Sequence, residues 1–345
     1  MTTQRLRVGI VGAGANTCAR HIPGLQAIPG VEIVTVANRS LESGAKVAAR
    51  FGIPRVAAGW QAVVSAADVD AVVIGTWPCL HAEVATAALE AGRHVLCEAR
   101  MAMDLAEAQR MLAAARRRPE RVAQVVPSPF TLGVDATIRR HLAEGRLGRL
   151  LCVDIADHRG GFPDYAAPLH WREDRARSGL NIMSLGIWYE ALLRWLGPAE
   201  SVLATGAVLV RERRDPASGA VRALDIPDWL TVMARLRDGV AAQFSIRMAG
   251  GLAPRRECIL TGDEGALRFD GEVLSFGRRG AAALQPVEIP AAERGEWRVE
   301  EDFVAAVRGE APVRLTTFAD GVRYMAFTQA VADSLASGRS AKVAD

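Results

Sequence analysis

Two groups of residues in this 345-residue chain have types and spacing that could do chemistry. The first is Gly12, Ala13, Gly14, Ala15, Asn16 and Thr17, directly after an apolar run at 6–11. A glycine at position 12 permits a tight turn, and one at 14 lets a pyrophosphate approach the backbone. The free amides of a following helix would face that anion. The third glycine of a G-x-G-x-x-G fingerprint is replaced by Thr17, so the motif rests on its strand–turn–helix–strand setting. The next strand pattern ends in Asn38, Arg39 and Ser40. Asn38 can hydrogen-bond a ribose hydroxyl without repelling a 2′-phosphate, and Arg39 and Ser40 could bind that phosphate. The expected cofactor is therefore NADP or NAD; the alternative for Arg39 is a solvated loop position. The second group lies at 158–172, where His158, Tyr165 and His170 stand among Arg159 and Arg172. Imidazoles change charge near neutral pH, so this stretch is rich in proton carriers. Each residue singly fits a structural or solvated role; together they are the best acid/base candidates.

The elements that must position these groups follow from periodicity. Apolar runs at 6–11, 31–37, 71–75, 94–97 and 121–126 alternate with helix patterns at 21–28, 41–51, 81–91 and 104–117. Buried strands alternating with helices predict a doubly wound parallel sheet covered on both faces. After Pro127 the pattern changes. A helix at 134–143 precedes a strand in which Leu151, Val153 and Ile155 alternate with Cys152, Asp154 and Ala156. A helix is predicted over 181–196, stopped by Gly197-Pro198, and strands dominate 201–276 with turns at Asp238-Gly239 and Asp270-Gly271. Helices are predicted at 300–308 and 318–337. The expected architecture is an α/β Rossmann domain at 1–126 and an α+β domain with a large, mostly antiparallel open sheet at 127–345.

Composition narrows the function classes. A net charge of +3 with scattered basic residues does not suit a nucleic-acid surface. The densest basic run, Arg116 to Arg118, closes a helix pattern where cations suit the helix dipole. The five cysteines, Cys18, Cys79, Cys97, Cys152 and Cys258, show no metal-ligand spacing and suit reduced thiols in the cytoplasm. No apolar stretch approaches the ~18 residues of a membrane span. The expectation is a cytoplasmic protein acting on a small molecule, with neither metal, membrane nor nucleic acid.

The segment DAVVIGTWPCLHAEVATAALEAGRHVLCEARMA at 70–102 resembles the Gfo/Idh/MocA family of dehydrogenases, which includes glucose–fructose oxidoreductase and inositol dehydrogenase. LAEGRLGRLLCV at 142–153, WRED at 171–174, SGLNIMSLGIWYEALLRWLG at 178–197 and EEDFVAAV at 300–307 extend the resemblance over nearly the whole chain. It implies homodimers or homotetramers packed through the C-terminal sheet. The expected cofactor contacts here are Thr76, Trp77, His81 and Glu98, with an ordinary loop aromatic the alternative for Trp77 and satisfied backbone groups at a helix start the alternative for His81; the expected substrate contacts are Trp171, Arg172, Asn181, Ser184 and Trp188, with core packing the alternative for Trp188. Three departures stand out. Members usually carry Glu-Lys-Pro where this chain has Glu98, Ala99 and Arg100. Members often place an aspartate and a histidine four residues apart where this chain has Ser184 and Trp188. In relatives the lysine and histidine handle the hydroxyl proton. A positioned acid/base contributes ~10²–10⁴-fold to such a step, and alanine, serine and tryptophan are poor substitutes. The expected remedy is a relocated carrier, His158, Tyr165 or His170, with Arg100 orienting the substrate oxygen. The leading expectation is an NAD(P)-dependent oxidoreductase of a sugar, cyclitol or similar hydroxyl or carbonyl compound. The alternatives are a nucleotide-retaining lyase or hydrolase, and a non-catalytic sensor.

Overall fold

A computed structural model describes residues 5–344, and their contacts divide into two units. The first unit runs to Pro127 and takes in Arg298–Val322; the second comprises Ser128–Trp297 and the chain from Arg323.

In the first unit five parallel strands, β1 (Leu6–Val11), β2 (Val31–Ala37), β3 (Ala71–Ile74), β4 (His94–Cys97) and β5 (Ala123–Val125), form one sheet in the order β2-β1-β3-β4-β5. β3 is buried along its whole length, as its uninterrupted apolar sequence requires of a strand covered on both faces, and β4 is buried too, with His94 at its start accepting the Val122 amide. The connections are α1 (Ile22–Ala27), α2 (Leu41–Phe51), α3 (Trp60–Val64), α4 (Pro78–Glu90) and α5 (Leu105–Arg116). Local chemistry sets their ends. Ser40 and Ser43 form a reciprocal capping box on α2, Gly52 ends that helix in the left-handed region, and Asp104 accepts the Glu107 amide at the start of α5. Between β1 and α1 the chain makes a π-helical turn, Thr17–His21, an irregularity often found at functional sites. The segment after Arg298 joins this unit through Thr316, whose carbonyl accepts the Val125 amide.

The second unit is built on α6 (Asp135–Ala143), β6 (Leu150–His158), α7 (Arg175–Ser178), α8 (Leu185–Leu196) and β7 (Ala199–Ala207). A small hairpin, β8 (Glu212–Arg214) and β9 (Val221–Ala223), follows. The remaining strands are β10 (Trp229–Leu236), β11 (Ala241–Arg247), β12 (Arg255–Gly262), β13 (Gly265–Phe269), β14 (Leu274–Arg278), β15 (Gln285–Pro286) and β16 (Ala341–Lys342). The nine-stranded sheet has the order β15-β14-β13-β12-β6-β11-β10-β7-β16, antiparallel except where β6 pairs with β11. Helix α9 (Val299–Val307) belongs to the first unit, and α10 (Phe318–Ser337) spans the division.

Alternation gives the large sheet two unlike faces. Val153, Ile155, Val232, Phe244, Ile246 and Leu260 point to a core that holds Tyr189 of α8 and Phe327 of α10. The Tyr189 and Phe327 rings stack with centroids 3.6 Å apart. Each such buried side chain contributes roughly 1.5–3 kcal/mol. Tyr189 Oη accepts the Ala199 amide, and burial pushes its pKa up to about 12. The opposite face exposes Leu203 and Met233 beside Arg235 and Gln243.

Candidate active site

In the first unit the Gly-rich turn closes onto the end of β3. Gly12 has φ 85°, and a Cβ there would lie 2.6 Å from Thr76 Cγ2 and 2.7 Å from its amide nitrogen. Only glycine fits both the conformation and the space. Thr17 is buried and its Oγ1 donates to the Gly12 carbonyl at 3.2 Å. A Cβ on Gly75 would lie 2.0 Å from Thr17 Oγ1. The close helix–strand approach that a third fingerprint glycine usually permits is therefore supplied from the strand side, by Gly75. Gly14 has open space above it, its nearest neighbour for an added Cβ being Gly75 O at 3.6 Å.

A cleft of about 490 Å³ opens along this turn. Gly12, Gly14, Asn38, Arg39, Thr76 and Trp77 line it, as the sequence leads one to expect of a dinucleotide site. Ala13 and Ala15 belong to the same turn, Ala13 buried and Ala15 exposed. The cleft also has walls that sequence reasoning passed over: Ser43, Gly59, Trp60 and Leu80. Ser40 does not line it; its hydroxyl accepts the Ser43 amide at 3.2 Å and caps α2. Ser43 of α2 lines the cleft instead, its hydroxyl accepting the Ser40 amide and donating to the Ser40 carbonyl within the same cap.

At the C-terminal end of β4 Glu98 meets the turn from the other side. Its Oε1 accepts from Asn16 Nδ2 and lies 3.1 Å from His21 Nε2, and its Oε2 accepts the Ala99 amide at 3.0 Å. His21 is fully buried, and its Nδ1 bonds Glu300 Oε1 of α9. Burial works against the imidazolium, but hydrogen bonds to Glu300 and Glu98 outweigh it and raise the His21 pKa to about 9. Burial likewise acts against the Glu98 anion and is overcome by His21 and Asn16, leaving its pKa lowered. His81 takes a structural place. It is buried with Nδ1 3.0 Å from the Arg100 carbonyl and Nε2 3.0 Å from the Thr76 carbonyl. Burial lowers its pKa, and the neutral ring, which can donate to only one of these carbonyls, is turned to backbone rather than to a ligand. The Arg100 side chain is itself buried.

The second unit does not gather its expected site residues in one place. His158 shares its sheet face with Cys152, Asp154 and Ala156, and its Nε2 lies 2.8 Å from Ser245 Oγ. That is the open face. Asp157, one residue earlier, points to the helical face and accepts the Trp188 indole N–H at 3.0 Å. Trp188 is fully buried, edge-on to Phe130. The helix predicted over 181–196 starts later than expected. Helix α8 begins at Leu185, Ser184 is its N-cap, and Met183 has φ 44°, so Asn181 lies in the preceding turn. There its Nδ2 donates to the Ser178 carbonyl at 2.6 Å. Tyr165 and His170 are exposed on the segment after β6. His170 Nδ1 accepts the Arg172 amide at 3.3 Å, and the Arg172 guanidinium lies 4.2 Å from the centre of the Trp171 ring. Burial and nearby arginines lower the pKa of both His158 and His170, keeping both rings in the form that accepts a proton at neutral pH.

Comparison with known proteins identifies the family and the fold. Residues 6–125 match the Gfo/Idh/MocA oxidoreductase model described as an NAD-binding Rossmann fold, and residues 136–268 match the C-terminal domain model of the same family. The dTDP-3,4-didehydro-2,6-dideoxy-alpha-D-glucose 3-reductase of Streptomyces antibioticus is 32% identical over 94% of this chain and 95% of its own length. The 1,5-anhydro-D-fructose reductase of Ensifer adhaerens is 31% identical over 69% of this chain and 68% of its own. Among solved structures, levoglucosan dehydrogenase in complex with NADH and L-sorbose superposes with a TM-score of 0.87 at 24% identity, covering 99% of this chain and all of that one. With its two domain matches, a relative alike along almost the full length and a dinucleotide cleft at the expected turn, the chain belongs to the Gfo/Idh/MocA family of NAD-binding oxidoreductases.

Proposed function

We propose that the protein is an NAD(P)-dependent oxidoreductase of a sugar, cyclitol or similar hydroxyl or carbonyl compound, with its proton carrier away from positions 99 and 188. The observation that carries this reading is the state of those two positions. Ala99 has no titratable atom, and the Trp188 indole is buried with its N–H committed to Asp157. The cofactor supplies hydride transfer; the chain must hold the dinucleotide, orient the substrate oxygen and move its proton. Gly12, Gly14, Asn38, Arg39, Thr76 and Trp77 would hold the dinucleotide. Ser43, not Ser40, would join Arg39 at a 2′-phosphate, which favours NADP(H) at least as much as NAD(H). The sugar class rests on the substrates named for the relatives.

Of the three carriers, Tyr165 and His170 stand exposed and suit the task better than His158, which faces Ser245 on the open sheet. Arg100 is charged at every accessible pH and would steady an oxygen rather than act as a base. The open face, with Leu203 and Met233 exposed, suits packing of a second copy into a homodimer or homotetramer. Replacing His158, Tyr165 and His170 singly by phenylalanine tests the carrier: one variant should lose at least ~10²-fold in turnover while dinucleotide affinity stays level. Full activity in all three overturns the relocated carrier.

A further inference from the structure

We propose that Trp60 holds the adenine base of the dinucleotide by stacking its indole on the face of the base. The proposal rests on the dinucleotide reading above and deepens it. Trp60 grips the base that NAD(H) and NADP(H) share, whereas Arg39 meets only the 2′-phosphate that separates them.

The position follows from the edge of the parallel sheet. After α2 the chain runs beside β2 as a short extra edge segment. Val36 and Val56 form a parallel bridge, the Val36 amide donates to the Arg55 carbonyl at 3.0 Å, and the Ala57 amide donates to the Val36 carbonyl at 2.9 Å. Gly44 lets α2 close over this segment, since a Cβ there would lie 2.8 Å from Val56 Cγ1. The Arg55 side chain is held by two hydrogen bonds to Asp68, at 2.9 and 2.8 Å. Because the segment runs parallel to β2, its continuation through Ala58 and Gly59 to Trp60 arrives at the same end of the sheet as Asn38 and Arg39. All five residues line the cleft. In a Rossmann sheet the adenosine lies beyond the end of the second strand, which is this end of the cleft.

The side chains at that end leave the base to Trp60. Asn38, Arg39 and Ser43 are polar, and Ala58 and Gly59 present little or no side chain. Trp77, the other aromatic wall of the cleft, follows β3, two strands away in the order β2-β1-β3. Trp60 is half-buried. Among the described residues its indole has neither a hydrogen-bond partner nor a ring partner. Trp188 and Trp195 differ, for their indole N–H groups are given to Asp157 and Asp135. A half-buried indole on a cleft wall, committed to nothing in the protein, offers its π-face to a flat ligand. Stacking of a base on an aromatic side chain needs only the π-face of that base and takes no account of the ribose 2′ position. The contact therefore adds affinity equally for the two cofactors, and selection between them stays with Arg39.

The test needs no substrate. Calorimetry on the full chain measures dissociation constants for NADP⁺, NAD⁺ and the fragment 2′,5′-ADP, in the wild type, Trp60→Ala, Trp60→Phe and Trp60→Leu. Trp60→Ala should weaken all three nucleotides by a similar factor of about tenfold, the size expected for losing one base–aromatic stack. Trp60→Phe should restore most of that loss, because it keeps a π-face, and Trp60→Leu should not. Unchanged binding of the three nucleotides by Trp60→Ala overturns the proposal while leaving the dinucleotide site standing. Equal binding by Trp60→Leu and Trp60→Phe also overturns it, since Trp60 is then an apolar wall and no stacking platform. A loss confined to NADP⁺ and 2′,5′-ADP overturns it by moving Trp60 to the 2′-phosphate. A wild type that binds none of the three overturns the cofactor reading and this inference with it.

Discussion

The proton on His21 should be visible in stability. In the folded chain its pKa is raised to about 9, against 6.5 for an unperturbed imidazole. A raised pKa means the folded state holds the proton more tightly than the unfolded chain. Its contribution is complete below about pH 6.5 and is lost as pH rises through about 9. At about 1.4 kcal/mol per pH unit the difference amounts to about 3 kcal/mol. Urea denaturation of wild type and His21→Gln at several pH values across that window measures it. The wild type should lose about 3 kcal/mol more than the variant between neutral and alkaline pH. Parallel pH profiles for the two proteins would refute the imidazolium assignment, because a neutral His21 carries no such linkage.

Three further outcomes follow from the geometry. Gly75→Ala places a methyl 2.0 Å from Thr17 Oγ1 and 2.3 Å from the Gly12 carbonyl, so melting temperature should fall, by about 1–3 kcal/mol or more in stability, and dinucleotide affinity should drop; an unchanged variant contradicts the close approach. Arg39→Ala should weaken NADP(H) binding and spare NAD(H), and calorimetry showing no selective loss removes Arg39 from the 2′-phosphate. Light scattering at micromolar concentration should report a dimer or tetramer, and Met233→Glu on the open sheet face should shift it toward monomer; a monomeric wild type contradicts packing through that face.

Much of the fold was legible because buried strands and amphipathic helices follow simple periods. The five parallel strands and the turns at Asp238-Gly239 and Asp270-Gly271 carry their own local signals. What stayed hidden depends on pairing across the chain. The exchange of a fingerprint glycine for Thr17 and Gly75 involves residues that meet only when β1 and β3 are adjacent. Glu300 gave no sign of joining His21, because its helix packs with the first unit after the chain has formed most of the second. The start of α8 is set by the turn at Met183, which removes Asn181 from the helix. For His158 a signal was present. With Leu151, Val153 and Ile155 read as one face, alternation assigns His158 to the other, with Cys152, Asp154 and Ala156.

The chain is expected to turn over a nicotinamide cofactor against a hydroxylated or carbonyl compound. The most direct measurement follows nicotinamide absorbance while purified protein is offered a panel of sugars, cyclitols and their keto forms with both NAD(H) and NADP(H). At least one compound should give a net, substrate-dependent change of the nicotinamide. Product formed with no net change in the nicotinamide, or tight dinucleotide binding with no turnover of any compound, would contradict it.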